Sequence, residues 1–365
     1  MADNKRTCLY DKHVALGALM SPFGGFDMPI QYKGIVEEHN AVRNQVGVFD
    51  VSHMGEVRIT GPEAEKYVNY FFTNDIAGAT AGQIFYGMML YHDGGTVDDL
   101  LVYKMGENDF FLVINAANID KDVAWINEQA AKFDVKVDHQ SEKYGQLALQ
   151  GPEAEKTMGA VFGIDTTDLV FYTFKTINYE NDDMIVSRTG YTGEDGFEIY
   201  ASHAVIVKMW DMLMAAGVQP CGLGCRDTLR FETGLPLYGD ELSAEISPVM
   251  ATLSMFVKFN KEDFIGKEAC ATQKAEGKVQ KLVGLEILDE KKPIARHGYE
   301  VLDGEKVVGY ITTGYRGISV DKSLAFALVD REVGALGNQL SVRIRKKVFP
   351  AVVIKKRFYQ SNYKK

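Results

Sequence analysis

Two adjacent aspartates, Asp98 and Asp99, interrupt the apolar stretch Thr96-Val97-Asp98-Asp99-Leu100-Leu101-Val102-Tyr103, directly after Gly94-Gly95. Strands disfavour aspartate, and burying an unpaired carboxylate carries a heavy desolvation cost. Alternation along a strand puts Val97, Asp99, Leu101 and Tyr103 on one face and Asp98, Leu100, Val102 and Lys104 on the other. Asp98 is then expected to have Lys104 as a cation on its own face. Asp99 has none, so it is the carboxylate expected to hold a proton more tightly and to accept a proton or face a developing cation. The pair could equally cap backbone amides of the hairpin, and a bulge would leave Asp98 as the reacting acid.

Two further stretches could bind a ligand. Ser187-Arg188-Thr189-Gly190-Tyr191-Thr192-Gly193-Glu194-Asp195-Gly196-Phe197-Glu198 is a turn-rich loop that presents Tyr191 and Glu198. Cys221-Gly222-Leu223-Gly224-Cys225-Arg226-Asp227-Thr228-Leu229-Arg230 reads as a glycine turn into a helix with Arg226 near its start, only half of a phosphate loop. His53, in Ser52-His53-Met54-Gly55, reads as a hydrogen-bonded interior histidine more readily than as a catalyst. No G-x-S-x-G, H-E-x-x-H or Walker loop is present, the histidines are scattered, and Cys221 and Cys225 read as packed thiols. Hydride transfer, phosphoryl transfer and zinc hydrolysis therefore lack support, and no metal is expected.

The elements that must position these groups are legible in outline. Residues 10–20 read as a short helix or turn, Pro22 to Pro29 as a loop, and Gly34 to Val46 as a helix ended by Gly47. Gly61-Pro62-Glu63-Ala64-Glu65-Lys66 recurs letter for letter as Gly151-Pro152-Glu153-Ala154-Glu155-Lys156, each copy after a strand and opening a helix with proline in its first turn. The repeat predicts two related α+β halves. Between the copies, Gln83–Tyr91, Thr96–Lys104 and Phe110–Asn115 read as strands, and Asn118 as the N-cap of a helix through Ala131. Strands follow over Thr176–Tyr200, then a helix over Ala204–Ala216. From Lys281 onward, alternation and turns predict a separate all-β barrel.

The chain has 365 residues and a net charge of −10, which excludes a general nucleic-acid binder. No window approaches the ~20 apolar residues needed to span a membrane, and the N-terminus lacks an apolar leader pattern. The reading is a cytoplasmic protein in a reducing compartment. Residues 343–365 hold nine basic residues and no acid, leaving 31 basic against 50 acidic residues elsewhere. Lys346, Lys347, Lys355, Lys356 and Arg357 could dock an anionic ligand or acidic partner; a solvated strand face with a frayed tail, Lys364 and Lys365 included, accounts for the same bias.

Taken in order, Phe49 to Glu56, Gly94-Gly95 with Asp98-Asp99-Leu100, Ser187 to Glu198 and Gly222 to Arg230 resemble the aminomethyltransferase family, the T-proteins of the glycine cleavage system. Ile246-Ser247-Pro248 and Phe264-Ile265-Gly266-Lys267 extend the resemblance over essentially the whole chain. It implies a three-domain α+β cloverleaf: residues 1–50 with 141–260, residues 51–140, a linker helix at 261–280 and a β-barrel at 281–365. It also implies transfer of an aminomethyl group from the lipoyl arm of H-protein to tetrahydrofolate, with release of ammonia and formation of 5,10-methylenetetrahydrofolate. By the resemblance, Asp99 is the central acid, Tyr191 and Glu198 contact the pterin, Arg226 binds the folate tail, and Tyr86, Tyr103 and Asn115 line the pocket. Phe26, Phe171-Tyr172, Gly314 to Ser319 and Gln360 depart from the family pattern. The alternative is a non-catalytic folate-binding relative. Iron–sulfur-maintenance homologues carry a Lys-Gly-Cys-Tyr-x-Gly-Gln-Glu segment that this chain lacks. A third reading is a scaffold that binds H-protein through the basic end.

Overall fold

The structure is a computed structural model that describes residues 4–277 and 279–364. Met1, Ala2 and Asp3 of the N-terminal segment and Lys365 of the basic run lie outside the described residues. The chain begins with α1 (Tyr10–Ala15), β1 (Leu19–Phe23), β2 (Phe26–Gln31), α2 (Ile35–Asn44) and β3 (Gly47–Asp50). Next come β4 (Gly55–Thr60), α3 (Ala64–Phe71), β5 (Ile84–Leu90), β6 (Thr96–Gly106), β7 (Asp109–Ile114), α4 (Ile119–Ala130) and β8 (Lys136–His139). The same succession then recurs as β9 (Gly145–Gln150), α5 (Ala154–Phe162), β10 (Phe174–Tyr179), β11 (Asp182–Ser187), β12 (Gly196–Ala201), α6 (His203–Ala215) and β13 (Gln219–Pro220). Helices α7 (Leu223–Glu232) and α8 (Lys267–Glu276) lead into β14 (Lys281–Ile287), β15 (Glu300–Asp303), β16 (Lys306–Arg316), β17 (Ser323–Val329), β18 (Gln339–Ile344) and β19 (Lys347–Ile354).

The expected α+β class and terminal barrel are both present. One sheet runs β5-β6-β7-β4-β8, all antiparallel. The other runs β10-β11-β12-β9-β3-β13, the same order with β3 inserted before the last strand. The six C-terminal strands close into a barrel, β14-β17-β16-β15-β18-β19, which leaves no free edge.

The repeated hexapeptide works in the same way in both copies. Gly61 and Gly151 have φ of +129° and +132°, and a Cβ there would meet Asp134 O at 2.7 Å or Gln45 O at 2.4 Å. Only glycine fits so close to a neighbouring backbone at a left-handed φ. The helices start at Ala64 and Ala154, whose amides bond to Gly61 O and Gly151 O at 3.0 Å. Each proline therefore sits in the turn before its helix, not in the first helical turn as expected. The stretch Pro22–Pro29 is also not a loop. β1 and β2 pair as a hairpin through Phe23 and Phe26, and Gly24 and Gly25 take φ of +57° and +83° between them. A two-residue turn with both φ positive matches strand twist, and Gly-Gly is its natural occupant.

The two sheets meet edge to edge at β5 and β10. Ile84 N bonds to Tyr172 O and Phe174 N to Gly82 O, both at 2.9 Å. Behind this seam, Ile84, Tyr103, Phe111, Val113, Phe174, Ile185 and Tyr200 pack as one buried cluster drawn from both sheets. Burial of each large side chain contributes roughly 1.5–3 kcal/mol, so the rings hold the seam more than its hydrogen bonds do.

Several residues of the basic end already have partners. Lys356 donates to Ala251 O at 2.7 Å, and burial pushes its ammonium down to about 8. Arg343 pairs with Glu300, and Lys364 with Glu155 at 2.7 Å. Lys346, Lys347, Lys355 and Arg357 are exposed.

Candidate functional site

β6 carries the acid doublet, and its pairing with β5 settles which way each acid points. Leu90 pairs with Thr96 and Met89 with Asp98, so Val97 is an extra residue, a bulge. From Asp98 onward the register is regular. Val97, Leu100 and Val102 all pack into the core beneath the five-stranded sheet, so Val97 does not share the face of Asp99 as alternation predicted. Asp98 is fully buried on that core side, while Asp99 is half-buried on the side of the seam.

Asp98 does not pair with Lys104. Six residues of strand separate them by ~20 Å, beyond the reach of a lysine. Lys104 instead bonds Glu65 at 2.7 Å and Glu107 O at 2.6 Å. Asp98 is held by amides: Asn115 N at 3.0 Å, Asn115 Nδ2 at 2.9 Å and Asn118 Nδ2 at 2.7 Å. Asn118 does precede α4, as expected of an N-cap, but its side chain makes no cap and turns to Asp98. An ion fully buried against three N–H donors is well satisfied without a cation.

Asp99 accepts from Tyr86 Oη at 2.9 Å and Asn115 Nδ2 at 3.0 Å. Burial first, then the charge of Asp98, raise its carboxyl to about 7, against the lowering effect of those two bonds. Tyr86 is fixed edge-on by Phe256, with centroids 4.8 Å apart. A carboxyl so placed exchanges a proton near neutrality.

Across the seam, Glu198 on β12 is buried and accepts from Thr189 Oγ1 at 2.6 Å and Gln146 Nε2 at 3.2 Å. Burial raises its carboxyl, and Thr189 and the Arg226 charge oppose the rise. A line of hydroxyls continues inward: Thr189 to Ser187 at 2.7 Å, Ser187 to Tyr103 at 3.1 Å, Tyr103 to Tyr200 at 2.9 Å. A carboxylate only accepts, so the donors in this line align toward Glu198. Tyr103 has no exposed surface and reaches the site only through this line, not as a pocket wall.

Arg226 lies on the first turn of α7, its guanidinium 4.6 Å from the centre of the Tyr191 ring. Among the described residues it makes no hydrogen bond or ion pair, and burial lowers its proton affinity while the charge of Glu198 raises it. An arginine with a planar fork of free donors beside an aromatic face is built to take a carboxylate or carbonyl. Tyr191 donates to Pro236 O, which fixes its ring.

The structure brings Asp99, Tyr86, Tyr191, Glu198 and Arg226 into one neighbourhood at the seam: Tyr86 bonds Asp99, the Arg226 guanidinium lies on Tyr191, and its charge reaches Glu198. Burial above all, and then the charge of Asp99, raises the phenols of Tyr86, Tyr191 and Tyr172, with Glu198 adding to the rise at Tyr172. Sequence reasoning missed Tyr172, Gln146, Tyr200, Asn118 and Asp122 as members of this neighbourhood. Tyr172 takes φ of +65° at the seam, a conformation that no local turn motif announced. His53 is buried with Nδ1 unpartnered, not hydrogen-bonded as expected, and burial beside Arg226 drops it to about 4. It is a neutral imidazole. Cys221 and Cys225 are packed thiols, as expected. Among the described residues, no group of three or more His, Cys, Asp or Glu is placed to hold a metal ion. None of the described helices is long and apolar enough to cross a membrane.

Comparison with known proteins agrees with this geometry. Residues 9–261 match the family described as GCVT N-terminal domain, and residues 280–360 match the glycine cleavage T-protein C-terminal barrel domain. An aminomethyltransferase of Alkaliphilus oremlandii is 46% identical over 100% of both chains. One from Thermoanaerobacter pseudethanolicus is 44% identical, again over 100% of both chains. The crystal structure of glycine cleavage system aminomethyltransferase T from Bartonella henselae superposes with a TM-score of 0.93 at 31% identity, covering 99% of each chain. The chain belongs to the aminomethyltransferase family, the T-proteins of the glycine cleavage system.

Proposed function

We propose that this aminomethyltransferase takes the aminomethyl group from the lipoyl arm of H-protein and passes its carbon to tetrahydrofolate. In the balanced step, N5 and N10 of the folate each lose a proton and bond to the methylene carbon. The C–N bond breaks to release ammonia, and the C–S bond breaks to leave the dihydrolipoyl thiol. Positive charge develops on the carbon as either bond opens.

The observation that carries this reading is Asp99, a half-buried carboxyl raised to about 7 and held by Tyr86 and Asn115 at the seam. Ionised, it stabilises the developing cation and accepts the proton that folate loses. Glu198 suits the amino and N–H edge of a pterin, and the unpaired Arg226 suits the glutamate carboxylate of the tail. Holding nitrogen and carbon in line supplies much of the remaining rate. Exposed Lys346, Lys347, Lys355 and Arg357 are the part of the basic end free to meet an acidic H-protein, and such binding weakens with salt. The deciding experiment is ammonia release from aminomethylated H-protein with and without tetrahydrofolate, in wild type and Asp99→Asn. Folate-dependent release that collapses in the variant is expected. Unchanged turnover in Asp99→Asn would remove Asp99 from this role.

A further inference from the structure

Behind Asp98, on the core side of β6, lies a third carboxyl that the reaction as drawn does not use. Asp122 is on the buried face of α4 between Ile119 and Ile126, and its side chain has no exposed surface. Neither of its oxygens has a hydrogen-bond donor among the described residues. The ammonium of Lys121 is 3.4 Å from Oδ1, outside hydrogen-bond geometry, and two of its three N–H bonds go to Val97 O and to Tyr238 Oη at 3.1 Å. Asn118, at the N-cap of α4 and one helical turn before Asp122, donates to Asp98 at 2.7 Å, so this face of the helix turns toward Asp98, and the charge of Asp98 acts on Asp122.

Two carboxyl groups in contact in a dry interior do not both ionise. Asp98 has three N–H donors and keeps the charge. Asp122 has no N–H donor in hydrogen-bond geometry, only the Lys121 ammonium at 3.4 Å, and keeps the proton. Its O–H then satisfies both groups at once, giving Asp98 a fourth donor. Burial and the charge of Asp98 push the Asp122 carboxyl up to about 11, with Lys121 opposing. The titratable groups around it are Asp98 on β6, Lys121 on its own helix and Tyr238 from the segment after α7. Helix α6, in the same place in the second copy, buries only Val205, Ile206, Met209, Trp210 and Leu213. A buried acid is therefore not required by the packing of this helix.

We propose that Asp122 is a protonated carboxylic acid whose O–H donates to Asp98, and that this bond, acting through Asp98, sets the pH at which Asp99 ionises. Asp122 is thus a positioning residue. The proposal rests on Asp99 being the reacting carboxylate. Without the bond, the charge of Asp98 is less dispersed and bears more strongly on Asp99, whose carboxyl then takes up its proton at higher pH.

The test combines infrared spectroscopy with a pH profile. At about pH 8, well above the ordinary carboxylate range, wild type minus Asp122→Asn should show the C=O stretch of a protonated acid. The acid limb of kcat/KM for folate-dependent ammonia release should stay within about half a pH unit in Asp122→Asn, whose amide still donates, and rise by about half to one unit in Asp122→Leu. Absence of the infrared band overturns the proposal. So does a fall of about one unit or more in Asp122→Asn, since that would mean an ionised Asp122 had been removed. Identical profiles in the two variants would also overturn it. If Asp122→Leu does not fold, the band and the Asp122→Asn profile still decide. A band in a wild type that releases no ammonia would instead overturn the functional reading and leave the protonation of Asp122 established.

Discussion

The two copies of the β-α-β-β-β-α-β unit carry the same acid doublet at the same register. Ile84 of β5 faces Tyr103 of β6, and Phe174 of β10 faces Ser187 of β11. Four and five residues back from each lie Asp99 and Asp98 in one copy and Asp183 and Asp182 in the other. The first acid does the same thing in both. Asp98 Oδ2 accepts from Asn115 N and Asp182 Oδ2 from Ser202 N, each at 3.0 Å and each the first amide after the third strand of the hairpin run. The second acid does not. Asp183 is exposed and its side chain, among the described residues, bonds only to Asn178 at 3.3 Å, whereas Asp99 lies half-buried against Tyr86 and Asn115. The first position is thus a folding device, whereas burial beside a fixed charge sets Asp99 apart from the exposed Asp183.

The largest expected effect tests that division directly. Asp99→Asn should lower kcat/KM for ammonia release by about 10²–10⁴-fold, the usual range for a lost acid–base group. Asp183→Asn should stay within about twofold, as an exposed substitution does. A comparable loss in both variants would break the comparison.

Next comes pH. Asp99 must lose its proton to act as a base, so kcat/KM should rise as pH passes through about 7 and be flat there in Asp99→Asn. The same shift has the opposite sign for stability. A carboxyl raised from 3.8 to about 7 favours the folded state below its unfolded value, and that contribution is lost as pH rises through about 7. The urea midpoint of wild type relative to Asp99→Asn should therefore fall across that window.

The first acids should differ in stability and not in kind. Asp98→Ala strands buried amides of Asn115 and Asn118 and should cost about 2–4 kcal/mol by urea unfolding. Asp182→Ala frees a single part-buried amide and should cost about 0.5–1 kcal/mol. The smallest effect is expected from Tyr200→Phe, which removes the far end of the hydroxyl line to Glu198. Tetrahydrofolate affinity should weaken by roughly fivefold, about 1 kcal/mol, with kcat unchanged. A larger loss in kcat than in affinity would place that line in the transfer step.

Most of the architecture was readable because its devices are local. The barrel shows in alternation from Lys281 onward, and the duplicated unit in a hexapeptide whose glycine is dictated by a close backbone approach. The doublet was readable because acids inside an apolar strand stand out. Its neighbours were not, because their roles are set by distant chain. Asn118 has the type and place of an N-cap, and only the fold turns it to Asp98. Lys104 shares a face with Asp98 on paper, yet the rise of a strand separates them. Asp122 looks like one more surface acid of a helix start, although its spacing from Ile119 and Ile126 places it on the apolar stripe. The bulge at Val97 has no sequence mark at all.

The seam between the sheets has a consequence for motion. Two backbone hydrogen bonds join the edges at β5 and β10, and Asp99 and Tyr86 belong to one bank of that line and Glu198 to the other. The ring cluster behind that line carries most of the joint, so the two hydrogen bonds can open locally while the sheets stay packed. An occupant that touches both banks acts as a rivet across this joint. The amides of Ile84 and Phe174 then become reporters of such an occupant, exchanging with solvent together without it and slowing together with it.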